Sequence, residues 1–384
     1  MSRRAAVHAL ALVVTAACNL RCRYCYQNLH RARHLSWETA RRALDLLLAS
    51  PRSHLRLTFV GGEPLMRWPL VRRAVEHVEA TRRRDLVVLY EIVTNGLLLD
   101  DEIARFLEGH RFEVELSFDG VPAAQGLRGR GTFEQLDRRL EALARVTPAL
   151  FADLLTIVVT VVPATVAALG DSVEYFLARG VSDVALSPAF GVAGWAPERI
   201  EEMDEAFGRA YRLSLSHFER TGRVPVQLFR KDRQDQVRTP SNEPLCAAGS
   251  GALMTVDVDG SLYGCAVSAT SYQRYTSDFA KSCLGALRIG HLDDPQLSSL
   301  VERYVREFPA QPAFNGRLRK YSSYGRCASC PDVGRCSICP GAIALLPGND
   351  DPDRIPDFHC AFNRVALRYR DRFPVQPPVQ ARTD

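Results

Sequence analysis

The densest chemistry in the chain lies in Cys18-Asn19-Leu20-Arg21-Cys22-Arg23-Tyr24-Cys25, a CxxxCxxC run directly after the apolar stretch from Val7 to Val14. Three thiolates this close can hold three irons of a cubane [4Fe–4S] cluster and leave the fourth iron open to another ligand. Zinc sites draw four ligands, most often from two paired motifs, so a zinc site or a set of buried thiols accounts less well for three cysteines.

A second group follows far downstream: Cys246, Cys265, Cys283, Cys327, Cys330, Cys336, Cys339 and Cys360. Taken alone, Cys327-x-x-Cys330 with Cys336-x-x-Cys339 also fits zinc, but Cys246 and Cys265 fall outside that reading. Eleven cysteines in metal-ligand groupings argue for metal in a reducing compartment rather than disulfides, so the protein is expected to be cytoplasmic. Net charge is +5, yet arginines and acids are interspersed, and Arg41-Arg42 and Arg82-Arg83-Arg84 fall on helix-like segments. A solvated surface explains them better than nucleic-acid binding. No apolar run is long enough to span a membrane, and Met1-Ser2-Arg3-Arg4 leads into a short strand without a cleavage signal; neither a span nor a secretory signal is expected.

The elements that must position these groups alternate short β-branched runs with helical periods, the pattern of repeated βα units on a parallel sheet. Strands are expected at 9–15, 55–60, 87–94, 112–118, 155–162 and 183–188. Helices are expected at 36–48, 70–83, 100–108, 132–145 and 165–179, with Ser36 as an N-cap and Gly180 as a stop. Periodicity alone permits either a six-unit barrel or a doubly wound sheet. A charged helical pattern follows over 197–220, a polar bridge or lid over 231–244, and a β-hairpin over 255–263 turning at Asp259-Gly260.

Parallel strands gather active-site groups at their C-terminal ends. The second expected strand ends in Gly61-Gly62-Glu63-Pro64, where glycines permit close backbone approach to a ligand and carbonyls can accept from an ammonium. The third ends in Thr94-Asn95-Gly96 and the fourth in Ser117-Phe118-Asp119-Gly120; both could be ordinary turns, but they face the same mouth.

This set resembles the radical SAM superfamily, in which the open iron is chelated by S-adenosylmethionine. The resemblance implies an α/β fold, a partial (β/α)6 barrel. It implies that Gly61, Gly62 and Glu63 meet the amino group of S-adenosylmethionine, that Asn95, Ser117 and Asp119 contact the cofactor, and that Tyr24 packs on the adenine. Arg128 and Arg130 are both candidates to pair with its carboxylate, which suits a guanidinium. Asp119 is also a candidate catalytic group.

The downstream cysteines, with Gly260-x-x-x-x-Cys265, resemble the SPASM extension of peptide-modifying members, which binds two auxiliary [4Fe–4S] clusters. Carried over, Cys327, Cys330, Cys336 and Cys360 would hold the distal cluster, and Cys246, Cys265 and Cys339 the nearer one. Cys283 either completes the nearer cluster, leaves it open to substrate, or is a buried thiol. Two residues separate Cys336 from Cys339 where the family usually has three, which puts this pair's assignment in question. The domains expected are a core at 1–195, a helical bridge at 196–245 and the SPASM domain at 246–384.

The resemblance implies a 5′-deoxyadenosyl radical that oxidatively modifies a ribosomally made precursor peptide, supplied with electrons by a flavodoxin or ferredoxin. The sulfatase-maturating branch carries an aspartate directly after the cysteine equivalent to Cys265; here that residue is Ala266, so formylglycine formation is disfavoured. The barrel begins within about ten residues of Met1. Leader recognition is therefore expected from a separate protein or another surface. The alternatives are a protein side chain or small metabolite as substrate and, from another class, a non-catalytic iron–sulfur electron carrier.

Overall fold

The structure, a computed structural model, describes residues 7–27, 33–231, 251–273, 277–307, 325–336, 338–351 and 353–374. Its first half runs β1 (Ala9–Thr15), α1 (Trp37–Leu48), β2 (His54–Gly61), α2 (Trp68–Thr81), β3 (Val87–Thr94), α3 (Asp101–Gly109), β4 (Glu113–Ser117), α4 (Pro122–Gln125), α5 (Thr132–Val146), β5 (Leu155–Val161), α6 (Leu169–Ala178) and β6 (Val184–Pro188). Local sequence accounts for the boundaries. Ser36 accepts from the Thr39 N–H at 3.0 Å and Asp100 from the Ile103 N–H at 2.8 Å, each satisfying a donor the first helical turn leaves open. The sixth helix begins later than expected, because Val166–Ala168 wind as a 3₁₀ turn first.

All six strands pair in parallel and in chain order, β1 beside β2 through to β6. A doubly wound sheet reverses its strand order at a switch point; an unreversed order winds one way and is that of a barrel. The alternation along β2, β4 and β5 agrees: Leu57, Phe59, Leu116, Ile157 and Val159 are buried, while Thr58, Ser117 and Thr160 on the other face are half-buried. The fold is an α/β partial (β/α)6 barrel with a cysteine-rich C-terminal region.

Beyond β6 the chain forms α7 (Ile200–Thr221), β7 (Leu253–Val256), β8 (Ser261–Tyr263), α8 (Asp278–Gly285), β9 (Arg288–His291), α9 (Leu297–Glu307), α10 (Gly325–Ala328), α11 (Pro340–Ala344) and α12 (Asp357–Arg372). The hairpin has an outcome that periodicity did not signal: β7 pairs in parallel with β1, Leu12 opposite Val256, so the sheet continues through β7, β8 and β9. That second neighbour explains why every residue of β1 is buried. The hairpin's first strand ends at Val256 and does not run on to the Asp259-Gly260 turn. Asp257 turns out of it, its carboxylate accepting from the Val258 N–H at 2.8 Å and the Ser271 N–H at 3.0 Å. The bridge expected over 231–244 lies, after Lys231, outside the described residues. α12 packs on α7 through Phe207 against Phe362 and Tyr211 against Tyr369, fastening the C-terminal region to the barrel.

Candidate active site

Four strand ends meet at one mouth. The Thr15 to Ala17 backbone leaving β1 is clamped by the end of β2: the Gly62 N–H donates to the Thr15 carbonyl at 2.8 Å and the Glu63 N–H to the Ala17 carbonyl at 2.9 Å. This approach is why both residues are glycine. A Cβ on Gly61, whose φ is +143°, would stand 2.3 Å from the Thr15 oxygen, and one on Gly62 would stand 2.2 Å from the Ala17 oxygen. The glycines thus press on the backbone that launches the cysteine loop.

Glu63 is 1% exposed and ties three segments together. Its carboxylate accepts from the Leu65 N–H at 2.9 Å, the Thr94 hydroxyl at 2.7 Å and the Asn95 N–H at 2.7 Å. Burial raises its pKa, against the lowering effect of those donors. Asn95 passes the linkage on, donating from Nδ2 to Asn19 Oδ1 at 2.7 Å and lying 3.8 Å from Cys18 Sγ. The Cys18 thiol is pushed up by burial, with Glu63 and Cys22 adding to it and the Leu20 N–H and Asn95 opposing. Burial likewise raises Cys22, while Arg128 lowers it. A bound iron reverses this balance, because a coordinating thiol gives up its proton.

The fourth strand end is a buried network. Arg128 donates to Asp119 Oδ1 at 2.8 Å and to Thr160 Oγ1 at 3.0 Å; the Thr160 N–H donates to the same Oδ1 at 2.8 Å, and the Tyr24 hydroxyl donates to Oδ2. The Gln125 side chain accepts from the Asp119 N–H at 2.9 Å. Burial works against the Arg128 charge, but Asp119, Tyr24 and Cys22 outweigh it and hold the guanidinium protonated. Arg128 also lies over the Tyr24 ring, 5.4 Å from its centroid.

The expected site residues take up distinct places here. Arg128 is buried and faces the cysteine loop, whereas Arg130 is exposed. The Tyr24 hydroxyl is engaged by Asp119, which leaves open what its ring packs on. Asp119 has both oxygens engaged by donors, the arrangement of a group that positions others rather than an open base. Ser117 stands half-buried at the end of β4, opposite Val158. Gln125 and Thr160 were not singled out from sequence, and nothing in their local pattern distinguishes them; Thr94 and Asn19 figured there only as members of the third strand end and the cysteine loop.

The C-terminal cysteines form two neighbourhoods. Cys327, Cys336, Cys339 and Cys360 pack around a small core of Ile338, Ala342, Ile343 and Ile355, and the Cys330 N–H donates to the Cys327 carbonyl at 3.0 Å. Asn363 Nδ2 reaches Cys336 Sγ at 3.5 Å. Cys283, on α8, packs with Val267 and Tyr26 against Ala344 and Leu345. A Cβ at Gly341 would meet Val267 at 2.9 Å and Cys339 Sγ at 3.4 Å, so Cys283, Val267 and Cys339 occupy one region. Burial raises the Tyr26 phenol, and Cys265, Cys25 and Cys339 all add to the shift. Tyr26 therefore lies between the first cysteine loop and the second cysteine group. Cys246 lies outside the described residues. Among the described residues no three Cys, His, Asp or Glu side chains converge as ligands of one metal ion. A cubane seats each thiolate at a separate corner and spaces them more widely than a single ion does.

The family model of the radical SAM superfamily matches residues 12–175. These residues are a radical SAM domain. The chain that carries this domain is an enzyme, and radical SAM domains take a [4Fe–4S] cluster and S-adenosylmethionine. It is 27% identical over 261 residues to an uncharacterized protein of Methanocaldococcus jannaschii, covering 67% of this chain and 84% of that one. Alignments with three further curated relatives span less than half of those proteins' own length. The fold is similar to that of native anSMEcpe with bound AdoMet and Kp18Cys peptide (TM-score 0.70, 17% identity, 95% of this chain and 97% of that one). It is also similar to Streptococcus suis SuiB bound to precursor peptide SuiA (TM-score 0.57, 12% identity, 93% of this chain and 76% of that one). No helix among the described residues is long and apolar enough to cross a membrane.

Proposed function

We propose that this radical SAM enzyme oxidatively modifies a side chain of a ribosomally made precursor peptide. The observation that carries the reading is the convergence of the Cys18–Cys25 loop, Glu63, Asn95 and the Asp119–Arg128 pair at one mouth, with the second cysteine group reaching Tyr26 beside Cys25. When bound, the reduced cluster and S-adenosylmethionine supply a 5′-deoxyadenosyl radical able to take hydrogen from carbon.

The chain's own residues bind and orient. Cys18, Cys22 and Cys25 hold the cluster at the mouth. Glu63 and Asn95 fix the loop that carries them. Arg128, its Nε buried and unpartnered, offers a donor to the cofactor's carboxylate beside Cys22, with Asp119 and Tyr24 holding the guanidinium in place. Ser117 contributes at the same strand end; Arg130 is left to the surface.

The reading divides the chain into a core (1–195), a bridge (196–245) and an auxiliary region (246–384) whose first strands extend the core sheet. Cys327, Cys330, Cys336 and Cys360 hold the distal auxiliary [4Fe–4S] cluster. Cys246, Cys265 and Cys339 hold the nearer one, with Cys283 as its fourth ligand; the shared packing of Cys283, Val267 and the start of α11 supports that choice. A peptide substrate is supported by the fold's likeness to two proteins whose structures hold peptides, and Ala266 after Cys265 argues against formylglycine formation. A flavodoxin or ferredoxin supplies electrons in the cytoplasm.

The test is iron and sulfide content after anaerobic reconstitution, with 5′-deoxyadenosine production and mass spectrometry of candidate precursor peptides alongside. About twelve irons in the wild type and about eight in a Cys18/Cys22/Cys25→Ala variant that makes no deoxyadenosine are expected. Cys283→Ala should lose the nearer cluster. About four irons with bound zinc would overturn the auxiliary assignment, and deoxyadenosine coupled to a small metabolite but to no peptide would overturn the substrate class.

A further inference from the structure

His359 is 3% exposed, and neither of its ring nitrogens has a hydrogen-bond partner. Other buried side chains leave a single nitrogen or oxygen unmatched; among the described residues His359 leaves two. Burying an unmatched polar atom costs about 1–3 kcal/mol, so a doubly unmatched imidazole points to a partner that is not a protein atom.

The position of the ring says what that partner is. His359 immediately precedes Cys360 in the first turn of α12. One turn further on, Asn363 shares its stripe of the helix, and Asn363 Nδ2 already reaches Cys336 Sγ at 3.5 Å. On its flat side the imidazole stacks on Phe190, 6.1 Å between centroids and 17° between planes. Phe190 in turn packs against the small core shared by Cys327, Cys336, Cys339 and Cys360 and also against the one that carries Cys283, while His359 itself is the chain neighbour of Cys360. Stacking fixes the ring plane, and neither nitrogen on its edge is taken up by a protein atom.

We infer that His359 donates a hydrogen bond from its imidazole N–H to a sulfur of the auxiliary cluster held by Cys327, Cys330, Cys336 and Cys360, and so raises that cluster's reduction potential. The inference rests on the auxiliary-cluster reading above. Hydrogen bonds to cluster sulfurs favour the reduced state, which carries one more negative charge. With four cysteines already assigned to the irons, the imidazole acts as a donor and not as a ligand. It is a positioning residue for the redox level of the cluster, remote from the carbon being modified.

The test is an EPR-monitored redox titration of the reconstituted full chain. A Cys18/Cys22/Cys25→Ala background removes the first cluster's signal. His359→Phe keeps a flat ring against Phe190 but has no N–H, and His359→Asn keeps a donor. A charge-assisted hydrogen bond is worth about 1.5 kcal/mol, so His359→Phe should lower the reduction constant of one auxiliary cluster on the order of tenfold. For a one-electron couple that is about 59 mV. His359→Asn should fall between that value and the wild type, with iron content unchanged in both. An unchanged midpoint in His359→Phe would overturn the inference and assign the partner to a buried water. Loss of about four irons would overturn the donor role in favour of direct ligation. If the parent chain itself binds no auxiliary iron, the auxiliary-cluster reading has failed instead, and iron analysis distinguishes the two results.

Discussion

Replacing Asp119 by Asn tests the buried network at the fourth strand end. The Arg128 and Asp119 side chains are 8% and 2% exposed and 2.8 Å apart, so neither charge can turn to water when its partner is lost. Removing one member of such a pair typically costs about 3–5 kcal/mol, most of it the uncompensated charge left behind. The two single changes should not cost the same. In Asp119→Asn the guanidinium keeps the Thr160 hydroxyl and the Tyr24 ring but faces no carboxylate, so the upper part of that range is expected. In Arg128→Met the carboxylate still accepts from the Thr160 N–H at 2.8 Å and the Tyr24 hydroxyl, and a smaller loss of about 2 kcal/mol is expected. The double variant buries no unpaired charge and should cost less than the sum of the two by at least about 1 kcal/mol. Urea unfolding of the apoprotein at fixed pH gives all four values from midpoints at a common slope. Single costs that add to within about 0.5 kcal/mol, or an Arg128→Met loss exceeding that of Asp119→Asn, would refute the reasoning.

Gly62→Ala should displace the cysteine loop, because the new Cβ would stand 2.2 Å from the Ala17 carbonyl oxygen. About 1–3 kcal/mol should be lost along with the iron of the first cluster, whereas Gly109→Ala, with no atom within 4 Å of its Cβ, should be neutral or mildly stabilising. Matched losses in the two variants would remove the steric argument. Glu115 is pushed from 4.5 up to about 7 by burial and then by neighbouring Glu91. A raised carboxylate favours the folded state below pH 4.5 and loses that benefit as pH rises towards 7, so Glu115→Gln should gain up to roughly 3 kcal/mol on the wild type between those limits. Stability curves that run parallel from pH 4.5 to 8 would contradict it. Cys360→Ala should lose one auxiliary cluster while deoxyadenosine formation persists, and iron analysis beside the activity assay checks both halves.

Much of this was legible in one dimension because its causes are local. The strands Ala9–Thr15 and Val87–Thr94 have the bounds their β-branched runs suggest, and Ser36 caps α1 because its hydroxyl reaches a donor three residues away. The CxxxCxxC spacing is local as well, since it sets which thiolates can share a cluster. What the linear order does not carry is which distant segments meet. Arg128 and Arg130 differ by two positions and look alike in sequence. Only the path of the chain after β4 turns one onto Asp119 and leaves the other in water. The same holds for Glu63, which fastens β2 to the residues after β3, and for β7, which finds the free edge of β1 across more than two hundred residues. Cys283 lies beside Val267 only because α8 packs against α11, and His359 meets Phe190 only because α12 folds back onto the chain after β6. Helix and strand periods follow from each residue's own torsions and neighbours. Long-range contacts depend on how whole layers pack, and in this protein that packing decides which charges are paired, which thiols are neighbours and which polar atoms are left without a partner.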